Sequence, residues 1–538
     1  MFVKKVKNKN GKVYLYLVES FRDEHGKPKH RRIASLGPEE EFLKAIAKAY
    51  LPETISAKQY MWAIPAIVNW LWKRLGIEDV IKQIERKHKI TFPLNEIVKA
   101  LVAARLANPS SKLRTWSDYF EQIAPGTIKV KRVGLQHVYR TLKYLHMHKE
   151  EIEKALWNRN KNLFNSQDDV ILYDLTTLYY ESVKEDELRR FGMSKDGRGD
   201  VVQIVLGLSS TDRGLPVGFE VFKGNQWEGH TIERIIANLK GKIDVNNSRI
   251  IMVADKGLFS KANLDLLERE CVGYVLGFRL KHVATKLGVE KDQLYDLSGM
   301  EQLSEGLYYR EYRWEGRRVI VVYSKQRAGY EIEMIDKQVK WLRSRVKSGG
   351  SGVKGLLKGK QWSRYLKVSG DEVQIDEASI KEAKLTCGFT ALVTSEETLS
   401  AGEVIGRYSR LWRIEDAFRQ IKTTLEARPM YVWTEESIVG HLITCYLAYY
   451  IERYIGIKIE SAGIKLGGKE VEQAWIEPRM LSSVRALEKL GEVGLVKFKL
   501  FGRDVKVYTN IDKVVRKIFR AIGYKLPVGI DIVNSNSK

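Results

Sequence analysis

The spacing of hydrophobic residues divides the chain into a helical part and a part in which strands and helices alternate. Over residues 38–165, apolar residues recur at helical spacing in segments separated by prolines, which predicts several packed helices. Over residues 1–37, apolar and polar residues alternate, as in the segment 12–21 (KVYLYLVESF), which predicts short strands. We therefore expect a β arm over 1–37 and a compact helical region over 38–165.

From residue 166 the pattern is typical of an α/β fold. Segments 169–173, 201–210 and 215–225 predict three strands that can pair antiparallel, and a helix then leads to a fourth strand at 249–254. A right-handed crossover to the fourth strand would bring the first and fourth strands side by side in one sheet.

The pattern also predicts where this core is interrupted. We expect an α/β core in two parts, a mostly β insertion between them and a basic α/β region after them, with the bounds 166–285 and 385–460 for the core, 286–384 for the insertion and 461–538 for the last region. Residues 441–457 are apolar and read as a buried core helix, too short and too interrupted to span a bilayer.

The segment 408–422 (YSRLWRIEDAFRQIK) contains no Pro or Gly and predicts one helix. Residues seven positions apart share a helix face. One stripe therefore carries an acid, basic residues and aromatic rings rather than aliphatic side chains, namely Tyr408, Trp412, Glu415, Arg419 and Lys422. The alternative is a solvated helix with salt links between residues four apart, such as Glu415 with Arg419.

The net charge of the chain indicates the chemical class of its partner. The chain has 538 residues with 91 Lys and Arg against 67 Asp and Glu, a net charge of +24. Such a surplus favours a polyanionic partner, with nucleic acid as the first hypothesis and an anionic membrane surface as the second. Because the basic residues are spread along the chain, we expect a broad DNA-binding surface that includes the helical region, while the β arm is equally compatible with a small solvated sheet.

The cysteines and the N-terminus exclude other classes. The three cysteines are far apart in sequence, so a cysteine zinc site or a disulfide framework is not expected. We also predict no binding site for an organic cofactor. The N-terminal residues lack the apolar stretch of a signal peptide. We expect a cytoplasmic, nucleoid-associated protein without a membrane segment.

Two acids end apolar strands. Asp174 follows the strand 169–173, and Asp255 follows the strand 249–254. A carboxylate at the end of a buried strand is costly unless it is paired or binds a metal ion, although a simple turn acid is the plainer alternative. Together with Glu415, these acids could hold two Mg²⁺ ions, since Mg²⁺ prefers oxygen ligands. A pair of such ions can bind both the attacking and the leaving oxygen of a phosphoryl transfer.

Several segments together resemble the DDE transposases of bacterial and archaeal insertion sequences. They are ILYDLTTLYYES, SKDGRGDVVQIVLGL, LPVGFEVFKGN, IMVADKGLFSKANL and YSRLWRIEDAFRQIKTTLEARP, within residues 169–455. The last is similar to the Tyr-Arg-Glu-Lys helix motif of the insertion-sequence-four superfamily. The resemblance implies an RNase H-like core with a β-rich insertion before the last acid, dependence on Mg²⁺ with Mn²⁺ as a substitute, and action as a homodimer on double-stranded DNA, both terminal inverted repeats and target DNA.

The resemblance also implies roles for single residues. Asp174, Asp255 and Glu415 would form the catalytic, metal-binding triad. Tyr408 and Lys422 match the motif, whereas its Arg position is Leu411, so Arg410 or Arg413 supplies the guanidinium or it is absent. The predicted DNA contacts are Tyr408, Arg410, Arg413, Arg419, Lys422 and Lys195, the last of which stands beside Asp196 in a loop that could instead be only a turn.

Three functions are compatible with these residues. The first is a transposase that cleaves the ends of an element and joins the freed 3′-OH to target DNA. The second is an inactive or domesticated relative that only binds DNA. The third is an RNase H-like nuclease without a joining step.

Overall fold

The chain folds as an α/β protein with two compact units. The computed structural model describes residues 2–8, 12–50, 57–160, 168–243, 249–347, 360–369, 372–465, 480–500, 503–527 and 530–533. The first unit contains Met1–Met61, Glu492–Ile511 and Leu526–Lys538, and the second contains Trp62–Gly491 and Asp512–Lys525.

The first unit begins with the strands predicted for the N-terminal arm. Strands β1 (Phe2–Lys7), β2 (Val13–Arg22) and β3 (Pro28–Pro38) form an antiparallel sheet in the order β1-β2-β3. Helix α1 (Glu39–Tyr50) and strand β4 (Lys58–Met61) follow. All residues of β1 are exposed, so Lys4, Lys5 and Lys7 of this strand face solvent.

The second unit begins with a layer of helices. The bounds are α2 (Ala63–Arg74), α3 (Ile77–Lys87), α4 (Leu94–Ala107), α5 (Lys112–Arg114), α6 (Phe120–Gln122), α7 (Leu135–Met147) and α8 (Lys149–Asn160). Helix α3 illustrates why the pattern predicts them, because its buried residues are Ile77, Val80, Ile81 and Ile84. This spacing places them on one face, and acids in the first turn with bases in the last turn complement the helix dipole.

A large mixed sheet follows, and its first half matches the predicted topology. The elements are β5 (Asp168–Tyr179), β6 (Gln203–Thr211), β7 (Pro216–Lys223), α9 (Ile232–Lys240), β8 (Arg249–Ala254), α10 (Lys261–Arg269) and β9 (Gly273–Phe278). Strand β5 pairs antiparallel with β6 and parallel with β8. The prediction that the first and fourth strands lie side by side is therefore confirmed.

The second half of the sheet differs from the predicted β insertion. The elements are α11 (Leu280–Leu287), α12 (Lys291–Leu294), β10 (Glu301–Ser304), β11 (Leu307–Trp314), β12 (Arg317–Ser324), α13 (Lys325–Lys347), α14 (Lys360–Ser363), β13 (Leu366–Ser369), β14 (Glu372–Ile375), α15 (Glu377–Leu385) and β15 (Phe389–Thr394). The nine-stranded sheet has the order β10-β11-β12-β15-β9-β8-β5-β6-β7.

Strands β10 to β12 thus extend the central sheet instead of forming a separate β subdomain. The physical reason is burial on both faces: Val319, Ile320 and Val321 are consecutive in β12, and each is fully buried. The described residues outside the sheet, between β12 and β15, form helices and the two-stranded sheet β13-β14. The insertion over 286–384 is therefore not mostly β.

The segment 408–422 is not one continuous helix, contrary to prediction. It contains the end of α16 (Ala401–Ser409), the whole of α17 (Trp412–Arg419) and part of a π-helical turn, Gln420–Thr424. Between the two helices, the backbone N–H of Leu411 donates to Tyr408, and that of Ile414 donates to Leu411. These bonds span three residues and tighten the turn, so the expected stripe does not follow one helical face.

A long helix joins the helical layer to the central sheet. Helix α18 (Glu435–Ser461) packs on α4 and α7, and the hydroxyl of Tyr449 donates to the carbonyl of Gly214 at 3.0 Å. It confirms the buried core helix predicted for 441–457. None of the helices in the described ranges is both long and apolar enough to cross a membrane.

The C-terminal elements divide between the two units. They are α19 (Ser483–Gly491), β16 (Gly494–Leu500), β17 (Arg503–Tyr508), α20 (Lys513–Ile522) and β18 (Ile530–Val533). The strands form a four-stranded sheet in the order β18-β17-β16-β4. The N-terminal strand β4 therefore pairs with a strand from the C-terminal region within the first unit.

One buried acid in α18 makes the stability of the second unit depend on pH. The side chain of Glu452 is almost fully buried, and the hydroxyl of Ser483 donates to its Oε1. Burial raises the pKa of Glu452 from its usual 4.5 to about 7, and the Ser483 hydrogen bond only partly opposes this. The folded state therefore binds a proton that the unfolded state releases.

Replacement of this acid, Glu452→Gln, should remove that pH dependence. A raised pKa in the folded state contributes stability below pH 4.5 that is lost as pH rises through about 7. Relative to the variant, the wild type should lose on the order of 3 kcal/mol of unfolding free energy between about pH 4.5 and about pH 8. Urea titrations at several pH values measure this. The exposed control Glu488→Gln should follow the wild type, and parallel curves for wild type and Glu452→Gln would contradict the assignment.

Candidate active site

The centre of the site lies where strand β8 ends beside strand β5. Asp255 follows β8 as predicted, whereas β5 continues past Asp174 to Tyr179, so Asp174 is not at a strand end. Tyr173 of β5 lies opposite Ala254 of β8 in the register, so the next residues, Asp174 and Asp255, stand side by side. The Asp174 carboxylate accepts a hydrogen bond of 2.7 Å from the backbone N–H of Leu175. The two predicted strand-end acids are thus brought together by the sheet itself.

The carboxylates of Asp174, Glu228 and Asp255 lie near the ammonium of Lys195. Burial raises the pKa of Asp174 to about 6, and the nearby carboxylates of Glu228 and Asp255 add to the rise while Lys195 opposes it. Lys195 Nζ lies 3.7 Å from Asp174 and 2.9 Å from Glu228. Burial lowers the pKa of Lys195, but these acids outweigh burial and raise it overall.

Glu228 is an acid that the sequence reasoning missed. It stands in a short helical turn, Glu228–His230, soon after β7. A Cβ atom on Gly257 would collide with the carboxylate of Glu228, so the acid lies directly against the backbone after Asp255. The available signal was its position between strand β7 and helix α9, which resembles the position of Asp255 between β8 and α10.

Tyr408 belongs to the site through a hydrogen bond to an acid. Its hydroxyl donates to Asp255 Oδ1 at 3.1 Å. Burial, followed by the charge of Asp255, raises the pKa of Tyr408, so the phenol stays protonated and remains a donor. A Cβ on Gly277 would approach the Tyr408 hydroxyl to 2.7 Å, so the glycine leaves room for this contact.

Glu415 stands apart from the two aspartates. It is exposed on α17, which packs on β5, and its charge contributes to the raised pKa of Tyr408. Within the described ranges, no three His, Cys, Asp or Glu side chains come close enough together to hold a metal ion. The structure therefore brings Asp174 and Asp255 together but does not bring Glu415 to ligand distance of both.

The chemistry of the two aspartates nevertheless fits a hard divalent cation. Carboxylate oxygens are the ligands that such ions prefer, and a bound cation would offset both the burial and the repulsion that raise the pKa of Asp174. Lys195 supplies part of this positive charge, since its ammonium contacts both Asp174 and Glu228.

Lys422, a predicted DNA contact, is held by an acid of the loop that follows β5. Its ammonium lies 2.9 Å and 3.1 Å from the two carboxylate oxygens of Asp196. Arg428 also pairs with Asp196, at 2.6 Å. Burial lowers the pKa of Lys422, and Asp196 opposes this effect. Asp196 therefore balances two cations beside the aspartate pair.

The predicted arginine contacts have other partners. Arg410 pairs with Asp212, and Arg419 pairs with Asp416 rather than with Glu415. Arg413 packs on the ring of Trp412 at 5.1 Å, and burial and the neighbouring Arg453 lower its pKa. Across the described part of the chain, neither Arg410 nor Arg413 forms an ion pair with the predicted triad.

Comparison with known proteins identifies two regions. Residues 165–451, just over half of the chain, match the family described as "Transposase DDE domain". Residues 3–57 match the family described as "IS1634 family transposase, N-terminal domain".

One similar solved structure is the cryo-EM structure of the piggyBac transposase synaptic complex with hairpin DNA. The similarity covers 77% of this chain and 75% of that chain, with 9% sequence identity and a TM-score of 0.34. No curated protein matches the chain significantly.

A double-mutant cycle of Asp196 and Lys422 measures how much their ion pair contributes to the free energy of unfolding. Asp196→Asn leaves buried Lys422 without a counter charge and should reduce the unfolding free energy by about 3 kcal/mol. Adding Lys422→Met should recover part of the loss, which gives a coupling of about 2 kcal/mol in urea titrations.

The matched control is Asp200→Asn on the same loop, whose carboxylate is 64% exposed and pairs with Arg198. It should leave the unfolding free energy close to the wild-type value, because exposed ion pairs contribute little. Additive effects of Asp196→Asn and Lys422→Met would contradict a buried ion pair between them.

Proposed function

The chain belongs to the DDE transposase family, and from this membership we propose how it acts as a DNA transposase. It binds the terminal inverted repeats of a mobile element, cleaves the element ends and joins each freed 3′-OH to target DNA. The observation that carries the proposal is the parallel pairing of β5 with β8, which sets Asp174 beside Asp255. The strand order β7-β6-β5-β8-β9 within the sheet supports an RNase H-like core.

The acids have a distinct role from the other site residues. Asp174 and Asp255 would hold a divalent cation, Mg²⁺ with Mn²⁺ as a substitute, and Glu415 would complete the set. When bound, this ion polarises the scissile phosphodiester and stabilises the leaving oxygen. Tyr408 fixes the orientation of Asp255 through its 3.1 Å hydrogen bond.

The reaction consists of two transfers at phosphorus. In the first, a water oxygen attacks the phosphodiester at the element end and the P–O3′ bond breaks, which leaves a 3′-OH on the element and a 5′-phosphate on the flanking DNA. In the second, that 3′-OH attacks a target phosphodiester, forms a new P–O bond and releases the target 3′-OH. Lys195 offsets the charge of the acids, and its 39% exposed side chain can also reach a phosphate oxygen.

The predicted basic contacts would guide the DNA to this point. The ion pairs of Arg410 with Asp212 and of Arg419 with Asp416 are exposed, and such pairs contribute little stability. A DNA phosphate can therefore replace either acid at small cost. The half-buried Arg413 and Lys422 and the exposed Lys195 would add further cationic contacts, and action on two element ends implies a homodimer.

The N-terminal unit is proposed as a further DNA-binding element. Its match to a transposase N-terminal domain over residues 3–57 supports this role, as does the exposed basic strand β1. The helical layer of the second unit would add binding surface.

One observation favours a second candidate, a relative that binds DNA without cleaving it. Glu415 does not join Asp174 and Asp255 in a metal-ligating group among the described residues. Incubation of end DNA with the protein and Mg²⁺, followed by a joining assay with pre-cleaved ends, separates these candidates and a nuclease without a joining step.

The identity of the third acid is tested by comparing Glu415→Gln with Glu228→Gln. If Glu415 completes the metal site, Glu415→Gln should reduce cleavage of end DNA about a thousandfold, because several kcal/mol of transition-state stabilisation are lost. Glu228→Gln should stay within about tenfold of wild type, since Glu228 pairs with Lys195 and is a neighbour rather than a ligand.

Asp174→Asn serves as the inactive reference, and Asp416→Asn is the matched control one residue from Glu415 on α17. The reverse order, with Glu228→Gln inactive and Glu415→Gln active, would move the triad to Asp174, Asp255 and Glu228.

DNA binding should depend steeply on salt because of the net charge of +24. Each phosphate neutralised contributes about −0.9 to the slope of log affinity against log salt concentration, so six contacts would cost about a thousandfold between about 50 mM and about 200 mM salt. Fluorescence anisotropy with a labelled duplex measures the slope. A neutral osmolyte at matched osmolality is the control, and a flat salt response would contradict a phosphate-binding surface.

A further inference from the structure

A cationic cavity lies in the second unit, and Arg428, which pairs with Asp196, is one of its lining residues. Its volume is about 600 Å³, and it is bounded by the segment around α5 and by the loop before α18. Its lining includes several basic side chains, namely Arg105, Lys112, Arg114, Arg428 and His441. The one acid among its lining residues is Glu426, which is exposed.

Lys112 is the unusual member of this group. It is 5% exposed, and its ammonium lies 2.9 Å from Nδ1 of His441. His441 Nε2 lies 3.4 Å from the carbonyl oxygen of Ala427, which assigns the ring proton to Nε2 and makes Nδ1 the acceptor for Lys112. No carboxylate in the described part of the chain forms an ion pair with Lys112.

Arg105 is a second buried cation beside Lys112. It is 6% exposed, and within the described ranges its guanidinium donates only to backbone carbonyls: Ser110 at 2.7 Å, and Leu425 and Glu426 at 3.3 Å each. Burial, followed by the charge of Arg105, lowers the pKa of Lys112 well below its usual value. Buried charges are ordinarily paired, so two adjacent cations without a described carboxylate leave a place for an anion.

Arg428 connects this cavity to the aspartate pair. It lines the cavity, pairs with Asp196 at 2.6 Å, and Asp196 also holds Lys422. The residue before Asp196 is Lys195, whose ammonium contacts Asp174. Two ion pairs made by the neighbouring residues Asp196 and Lys195 thus link the cavity wall to the predicted catalytic acid.

We propose that this cavity binds a backbone phosphate of the DNA strand that enters the active site, with Lys112, Arg105 and Arg114 as its cationic contacts. The inference rests on the proposed function for the identity of the strand. Arg114 stands at the rim with a 72% exposed side chain, so it can turn toward the phosphate, whereas Lys112 and Arg105 form the fixed inner wall.

Lys112→Met tests the proposal through two quantities, the melting temperature without DNA and the affinity for DNA. Without DNA, removal of an unpaired buried charge should leave the melting temperature unchanged or raise it, whereas loss of a purely structural lysine would lower it. With a labelled duplex in EDTA, the affinity should fall about tenfold and the salt slope should decrease in magnitude by about 1.

Arg114→Met at the exposed rim keeps the test valid if Lys112→Met fails to fold, and it should reduce the salt slope in the same way. The matched control is Lys337→Met, a 67% exposed lysine on α13 outside both the cavity and the helical layer, which should leave the slope at the wild-type value. Wild-type slopes for both Lys112→Met and Arg114→Met would overturn the proposal.

A free phosphate ion is the other possible source of the anion. Inorganic phosphate and chloride are compared in thermal melts at matched ionic strength. If phosphate stabilises the wild type but not Lys112→Met, while both bind the duplex with equal slopes, the cavity takes a free anion and the assignment to the strand is overturned. Because binding is measured in EDTA, absence of cleavage by the wild type would count against the proposed function alone.

Discussion

The parallel pairing of β5 with β8 is the constraint on which the rest of the site depends. Parallel strands require a crossover, and here β6, β7 and α9 provide it, so two acids distant in sequence emerge at the same edge. Once Asp174 and Asp255 are adjacent, their charges must be balanced. Lys195 and the hydroxyl of Tyr408 do this from different segments, and each contact fixes another element against the sheet.

The site is consequently a set of linked ion pairs rather than a single pocket. Asp196 balances Lys422 and Arg428, while the preceding residue, Lys195, balances Asp174. One short loop therefore serves both the aspartate pair and the turn that follows α17. Substitution on this loop will alter the charge at both places, which explains why a stability measurement and an activity measurement are needed to separate the roles of its residues.

The sequence predicts features that depend on local pattern and on simple topology. The adjacency of β5 and β8 follows from handedness, and burial of α18 follows from its continuous apolar residues. The sequence does not predict features that depend on tertiary packing. The apolar run of β12 is compatible with either a separate subdomain or the central sheet. No pattern in the segment 408–422 predicts the tightened turn at Leu411. Glu228 escaped notice because its importance comes from contact with Lys195 and Gly257, which are distant in sequence.

The pairing of β4 with β16 has a consequence for biosynthesis. These strands come from opposite ends of the chain, yet they are neighbours in one sheet. During translation, β4 leaves the ribosome long before its partner exists, and its free edge must wait until β16, which begins at Gly494, has been made. Termination before Gly494 would leave this sheet without its central strands, so such a chain could not complete the first unit.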